Sequence, residues 1–185
     1  LNVDGRPLLL EAFRPNFWRA PVDNDYGNGH QARTAAWQAA SRERRLIGIT
    51  ARRSRRPTSV EVTSTWRLPA VESQVSLTWA FVGDGSIDVQ MRLTPGSGLL
   101  PEIPRVGLTG TLPSRFSNVE WFGRGPHENY IDRRSGAAVG RYRLAASDLP
   151  FAYERPQETG TRSDTRWVAL TDASGVGILV VGMPS

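Results

Sequence analysis

The chain has 185 residues, 39% of them hydrophobic and 22% charged, with a formal net charge of +5; this suits one folded globular domain and excludes a disordered chain. It holds no cysteine, signal-peptide pattern or membrane-length apolar run, which excludes disulfides, thiol catalysis, cysteine-based zinc sites and a membrane partner. All 23 basic residues are arginines, scattered apart from one cluster, so no nucleic-acid partner is expected.

A first strand is expected over about residues 7–13. The phrase Asn16-Phe17-Trp18-Arg19-Ala20-Pro21 then runs into Asp23-Asn24-Asp25. This acidic triplet is like part of a calcium loop, but the twelfth residue from Asp23 is Thr34, where an EF-hand needs a bidentate Glu. A turn held by Asx side chains is the better reading. Gly27-Asn28-Gly29-His30 is permissive backbone, read as a mobile loop of the kind that closes over a ligand. Residues 32–41, rich in Ala and Gln around Trp37, form either one short helix or an ordered loop with one or two turns.

A strand over about 46–52 follows, flanked by Arg42, Arg44, Arg45 and by Arg52, Arg53, Arg55, Arg56. The cluster is read as solvated hairpin ends or an interdomain contact, in preference to a phosphate-binding patch. Next comes a meander with period-2 alternation. Val60, Val62 and Trp66 mark its first strand, Val75, Leu77, Trp79 and Phe81 its second, and Ile87, Val89, Met91 and Leu93 its third. Gly83-Asp84-Gly85 turns between the last two, because these residue types tolerate positive φ. Further strands are expected near 104–112, 117–123, 137–144, 165–172 and 176–182. Glycine and proline fall mainly between these runs. The fold class is all-β, a large antiparallel sandwich read as a single domain over 1–185.

Two groups of residues invite chemistry. His127 and Glu128, in Gly123-Arg124-Gly125-Pro126-His127-Glu128, offer a base and an acid if a turn at Gly125-Pro126 makes them converge. The plainer reading is a glycine-rich corner whose polar groups tie down a neighbouring loop. Of the six tryptophans, Trp66, Trp79, Trp121 and Trp167 follow strand alternation and belong to the core. Trp18 and Trp37 flank the glycine-rich loop and are the better candidates for a sugar or interdomain contact, although core is the preferred fate of each. His30 has only His127 as a second imidazole, which argues against a metal site. No Gly-x-Ser-x-Gly, P-loop or Rossmann glycine pattern is present.

Three phrases recur in one order: the Asn16–Asp25 segment, Trp121-Phe122-Gly123-Arg124-Gly125-Pro126-His127-Glu128-Asn129-Tyr130, and Arg155-Pro156-Gln157-Glu158-Thr159-Gly160 running into Arg166-Trp167. With Pro104–Leu108, Tyr130–Arg133 and Ser163–Trp167, they resemble the C-terminal small-chain domain of the LacZ-type β-galactosidases, glycoside hydrolase family 2, over nearly the whole chain. The resemblance implies a supersandwich related in fold to galactose mutarotase, packed beside an upstream TIM barrel of the same parent chain. That barrel holds both catalytic Glu residues of a retaining hydrolysis of terminal β-D-galactosides, a reaction that needs two carboxyl groups about 5 Å apart.

No catalytic residue is therefore expected in this chain. It is expected to be inactive alone, to meet galactoside only through the full enzyme, and to hold no cofactor, the Mg²⁺ and Na⁺ implied for the parent lying elsewhere. The family's rim loop maps onto Gly27, Asn28, Gly29 and His30, although His30 stands where the best-known enzyme of the family carries an acidic residue. The chain reads as truncated at both ends, which leaves open sheet edges and favours self-association. A cytoplasmic location follows from the resemblance alone. The alternatives are a free-standing carbohydrate-binding module, and a mutarotase-like epimerase using His127 and Glu128.

Overall fold

The computed structural model describes residues 2–3, 5–54 and 59–182; Arg55 and Arg56 of the arginine cluster lie outside them. The chain forms two compact units, one from Leu1–Ala12 with Gly110–Ser185 and one from Phe13–Thr109. Both are built on antiparallel sheets, so the fold is all-β.

The chain opens on short paired strands β1 (Asn2–Val3) and β2 (Arg6–Pro7), then β3 (Glu11–Asn16). The single strand expected over 7–13 is thus split, because Gly5, at φ 75°, turns the chain back to pair Arg6 and Pro7 with β1. Two helices follow, α1 (Asp23–Gly27) and α2 (His30–Arg42). The segment around Trp37 is therefore a helix, and longer at both ends than 32–41.

In the Phe13–Thr109 unit, β4 (Arg45–Arg53), β5 (Ser59–Leu68), β6 (Ser73–Val82) and β7 (Ile87–Thr94) form one sheet in sequence order. Its register explains the alternation. Val62, Trp79 and Val89 lie opposite one another, as do Trp66, Val75 and Leu93. Residues opposite each other share a face, so one face is apolar. The other carries Thr63, Thr78 and Gln90, with the two threonine hydroxyls 2.9 Å apart. In the β6–β7 turn only Gly85 takes a left-handed φ, 88°. Arg52 sits at the β4–β5 hairpin end, paired with Glu61 at 2.7 Å.

The core of this unit lies where α2 meets the sheet. Trp37 and Ala40 are fully buried with Phe17, Leu68, Val71 and Val75, and Ala36 packs against them. Positions 36, 37 and 40 share one helix face. Trp37 lies 5.6 Å from the Phe17 ring, and its indole N–H donates to the Pro101 carbonyl at 3.0 Å.

The other unit is organised by β9 (Asn118–Gly125), after β8 (Gly107–Thr111). β8 begins three residues past Pro104, later than the strand expected from 104. β9 lies between β10 (Ala138–Ala145) and β11 (Trp167–Thr171), and β12 (Gly177–Val181) closes the sheet beyond β11. Val119, Trp121, Gly123 and Gly125 are the buried alternate positions of β9. The glycines are required by close approach. A Cβ at Gly123 would stand 2.7 Å from the Thr165 Cα, and one at Gly125 would stand 2.9 Å from the Trp121 ring. The Gly-Arg-Gly phrase therefore belongs to packing.

Trp37→Ala is expected to cost about 3–5 kcal/mol in denaturant-unfolding stability. A loss under about 1 kcal/mol would contradict its place in the core.

Candidate functional site

Asp25 accepts hydrogen bonds from Arg19 Nη1 at 2.6 Å, Arg19 Nη2 at 3.2 Å and the Val22 N–H at 2.8 Å. The Arg19 bonds hold its carboxyl below the usual aspartate range, against the upward push of burial. The acidic triplet is thus the first turn of α1, with Asp25 buried against an arginine.

Gly27, Asn28, Gly29 and His30 form the corner between α1 and α2. Gly27 ends α1, Gly29 takes φ 67°, and His30 opens α2 with its N–H on Asn28 Oδ1 at 2.9 Å. Arg33 bonds the Asn28 carbonyl and reaches Glu102 Oε1 at 2.8 and 2.9 Å. His30 Nδ1 lies 3.8 Å from the same carboxylate, and His30 Nε2 is buried without a hydrogen bond. The structure holds this segment as a helix–helix corner, where the sequence suggested a loose loop. Trp18 is half-buried, with the Arg42 guanidinium 5.9 Å from its ring centroid. Trp37 is fully buried and offers no ring face to a sugar; the core reading holds for it.

In the other unit, the Gly123–Tyr130 corner is fixed from both sides. Asn129 is fully enclosed, its Oδ1 accepting from the Ser163 N–H at 2.9 Å and from the Ser163 hydroxyl. Its own N–H donates to the Thr161 carbonyl at 2.8 Å. Glu128 accepts from Arg133 Nε at 3.2 Å, from Arg133 Nη2 at 2.7 Å, and from the Tyr153 hydroxyl. Burial pushes the Glu128 carboxyl up, but the Arg133 and Tyr153 hydrogen bonds outweigh it and hold the group below the usual glutamate range. Arg162 donates to the carbonyls of Leu149 at 2.8 Å, Gly160 at 2.9 Å and Pro126 at 3.3 Å. Asp164 takes Arg124 Nε at 2.5 Å. The corner therefore ties down the 149–164 loop.

A cleft of about 530 Å³ opens beside this corner. His127 and Glu128 both line it, with Leu144, Asp148, Phe151 and Tyr153. The pair does share a cavity, but the Glu128 oxygens are engaged by Arg133 and Tyr153. Sequence reading missed Arg133, Tyr153, Ser163 and Arg162. Only the Glu128–Arg133 spacing of five residues is local enough to have left a signal. Among the described residues no group of three or more His, Asp and Glu side chains is placed to hold a metal ion, and no helix is long and apolar enough to cross a membrane.

The chain is thus an antiparallel all-β chain whose well-buried carboxylates, Asp25 and Glu128, are tied to arginines. The profile of the β-galactosidase small-chain family matches residues 1–183. The chain is 37% identical to a β-galactosidase of Priestia megaterium, over 100% of this chain and 18% of that protein. It is 37% identical to one of Vibrio cholerae (96% of this chain, 18% of that protein). It is 38% identical to the β-galactosidase BgaC of Bifidobacterium adolescentis (95% and 17%). The chain belongs to the β-galactosidase small-chain family, and it spans less than a fifth of the length of these relatives.

Glu128→Gln breaks the ion pair with Arg133, leaving that arginine the more exposed Asp132 carboxylate, and is expected to cost about 1–3 kcal/mol in chemical denaturation. The native Glu128 pKa is depressed, so its stabilisation is present above the unfolded value of about 4.3. It is lost as pH falls through the depressed native value. The variant should therefore show a flatter acid limb in stability against pH; an unchanged limb would contradict the ion pair.

Proposed function

We propose that this chain is the noncatalytic C-terminal domain of a β-galactosidase that hydrolyses terminal β-D-galactosides such as lactose with retention. Membership of the family, over less than a fifth of its relatives' length, supports the parentage. The observation that carries the noncatalytic part is electrostatic. Among the described residues, every carboxyl with a displaced pKa (Asp25, Asp84, Glu102, Glu128, Asp164 and Asp172) is displaced downward. Glycoside hydrolysis needs one carboxyl kept protonated near neutral pH, by an environment that raises its pKa, beside a second that is ionised. The environments of these six carboxyls act the other way.

In this reading both acids belong to an upstream barrel of the same polypeptide. The α1–α2 corner at Gly27, Asn28, Gly29 and His30 contributes to the rim, and Trp18 makes a sugar or interdomain contact. The Mg²⁺ and Na⁺ of the parent are held outside this chain, and the parent is cytoplasmic. The chain also supplies an assembly surface. β12 is an edge strand with Leu179, Val180 and Val181 exposed, and apolar edge strands favour pairing with further strands, including those of a second copy.

One observation favours a second reading, a mutarotase-like epimerase: His127 and Glu128 line a common cleft. Polarimetry of fresh α-galactose, with His127→Ala as control, tests it.

The purified chain is expected to give no turnover of a chromogenic galactoside. The parent lacking this segment should be inactive and should regain turnover when the chain is supplied. Turnover by the chain alone would overturn the proposal.

A further inference from the structure

The cleft beside the Gly123–Tyr130 corner has the two surfaces that a neutral sugar ring requires. One is aromatic. Phe151 and Tyr153 stand 4.8 Å apart between ring centroids, and both remain accessible at 58% and 37% exposure. Large aromatic side chains left open on a concave surface are an exception to ordinary burial and mark binding sites. Ring faces of this kind accept the C–H side of a pyranose. The other surface is polar: His127 and Asp148 line the same cleft and are exposed. A carboxylate accepts hydroxyl protons, and an imidazole both donates and accepts.

The remaining cleft groups restrict the charge of the occupant. Arg162 is the cation that lines it, but its Nη atoms donate to the carbonyls of Leu149, Gly160 and Pro126 and its Nε is buried. Its fork is therefore not presented to a phosphate or carboxylate in the bidentate way such anions demand. Asp148, an exposed carboxylate lining the cleft, repels anions as well. A volume of about 530 Å³ lies within the range of about 300–1,000 Å³ typical of small-molecule sites.

We propose that this cleft is a binding site for a neutral pyranoside, with Phe151 and Tyr153 as the stacking surface and His127 and Asp148 as the hydroxyl-binding rim. Glu128 and Arg133 act as positioning residues, since their ion pair holds the Tyr153 hydroxyl and so sets the ring. The site stands on the chemistry of the cleft, and the choice of a galactoside probe on the parentage proposed above.

The test uses the full-length parent polypeptide and methyl 1-thio-β-D-galactopyranoside, which resists hydrolysis. Hydrogen–deuterium exchange is followed in peptides covering 126–128 and 148–153 as the thiogalactoside is titrated. Both segments should become protected in step, with an affinity weakened at least about tenfold by Phe151→Ala. Phe151→Tyr, which keeps a ring, should retain the protection. Chromogenic turnover measured alongside reports on the parent's activity separately, so its absence bears only on that reading. Exchange in 126–128 and 148–153 that ignores saturating thiogalactoside, or protection that survives Phe151→Ala with unchanged affinity, would overturn the proposal.

Discussion

The ion pair between Glu128 and Arg133 is the constraint on which the Gly123–Tyr130 corner depends. Arg133 Nε and Nη2 reach the carboxylate, the Tyr153 hydroxyl adds a third bond, and Arg133 Nη2 also donates to the Glu158 carbonyl at 2.7 Å. One buried carboxylate thereby joins the corner to two points on the later loop. Removing Arg133 would strand the Glu128 charge at low exposure, which costs more than the pair itself contributes. The same bonds decide the chemistry, because they outweigh burial and keep Glu128 ionised. A proton-donating acid in a glycosidase needs the opposite balance.

Arginine plays this part repeatedly. Asp25 takes both Nη atoms of Arg19, Asp164 takes Arg124, Glu102 takes Arg33, and Glu61 takes Arg52. A guanidinium fork suits such contacts, since its planar donors match carboxylate and carbonyl geometry. Arg162 and Arg124 extend the pattern to loop carbonyls. Several of the basic side chains are therefore engaged by the chain's own carboxylates and carbonyls.

The meander strands were legible because their sheet has one apolar face and one polar face. Val60 to Trp66, Val75 to Phe81 and Ile87 to Leu93 alternate as they do because their registers place like residues opposite. The helix around Trp37 was readable from alanine and glutamine. Its core role was less so, although Ala36 and Ala40 at helical spacing carried that information. The short helix α1 offered nothing periodic in five residues. The site was harder still. Arg124 meets Asp164 across 40 positions, Asn129 meets Ser163 across 34 and Tyr153 meets Glu128 across 25. Contacts so distant in sequence leave no local pattern. Sequence could name His127 and Glu128 and weigh two fates for them, but only the geometry supplies the arginine and tyrosine that hold the carboxylate.

The account stands or falls on where the reacting carboxylate of the parent lies. A 2-deoxy-2-fluoro galactosyl fluoride would trap the covalent glycosyl–enzyme intermediate of a retaining mechanism, and peptide mapping would locate the label. The account predicts a labelled glutamate outside the 185 residues of this chain. A label on Glu128, or on any other carboxylate within it, would contradict the account.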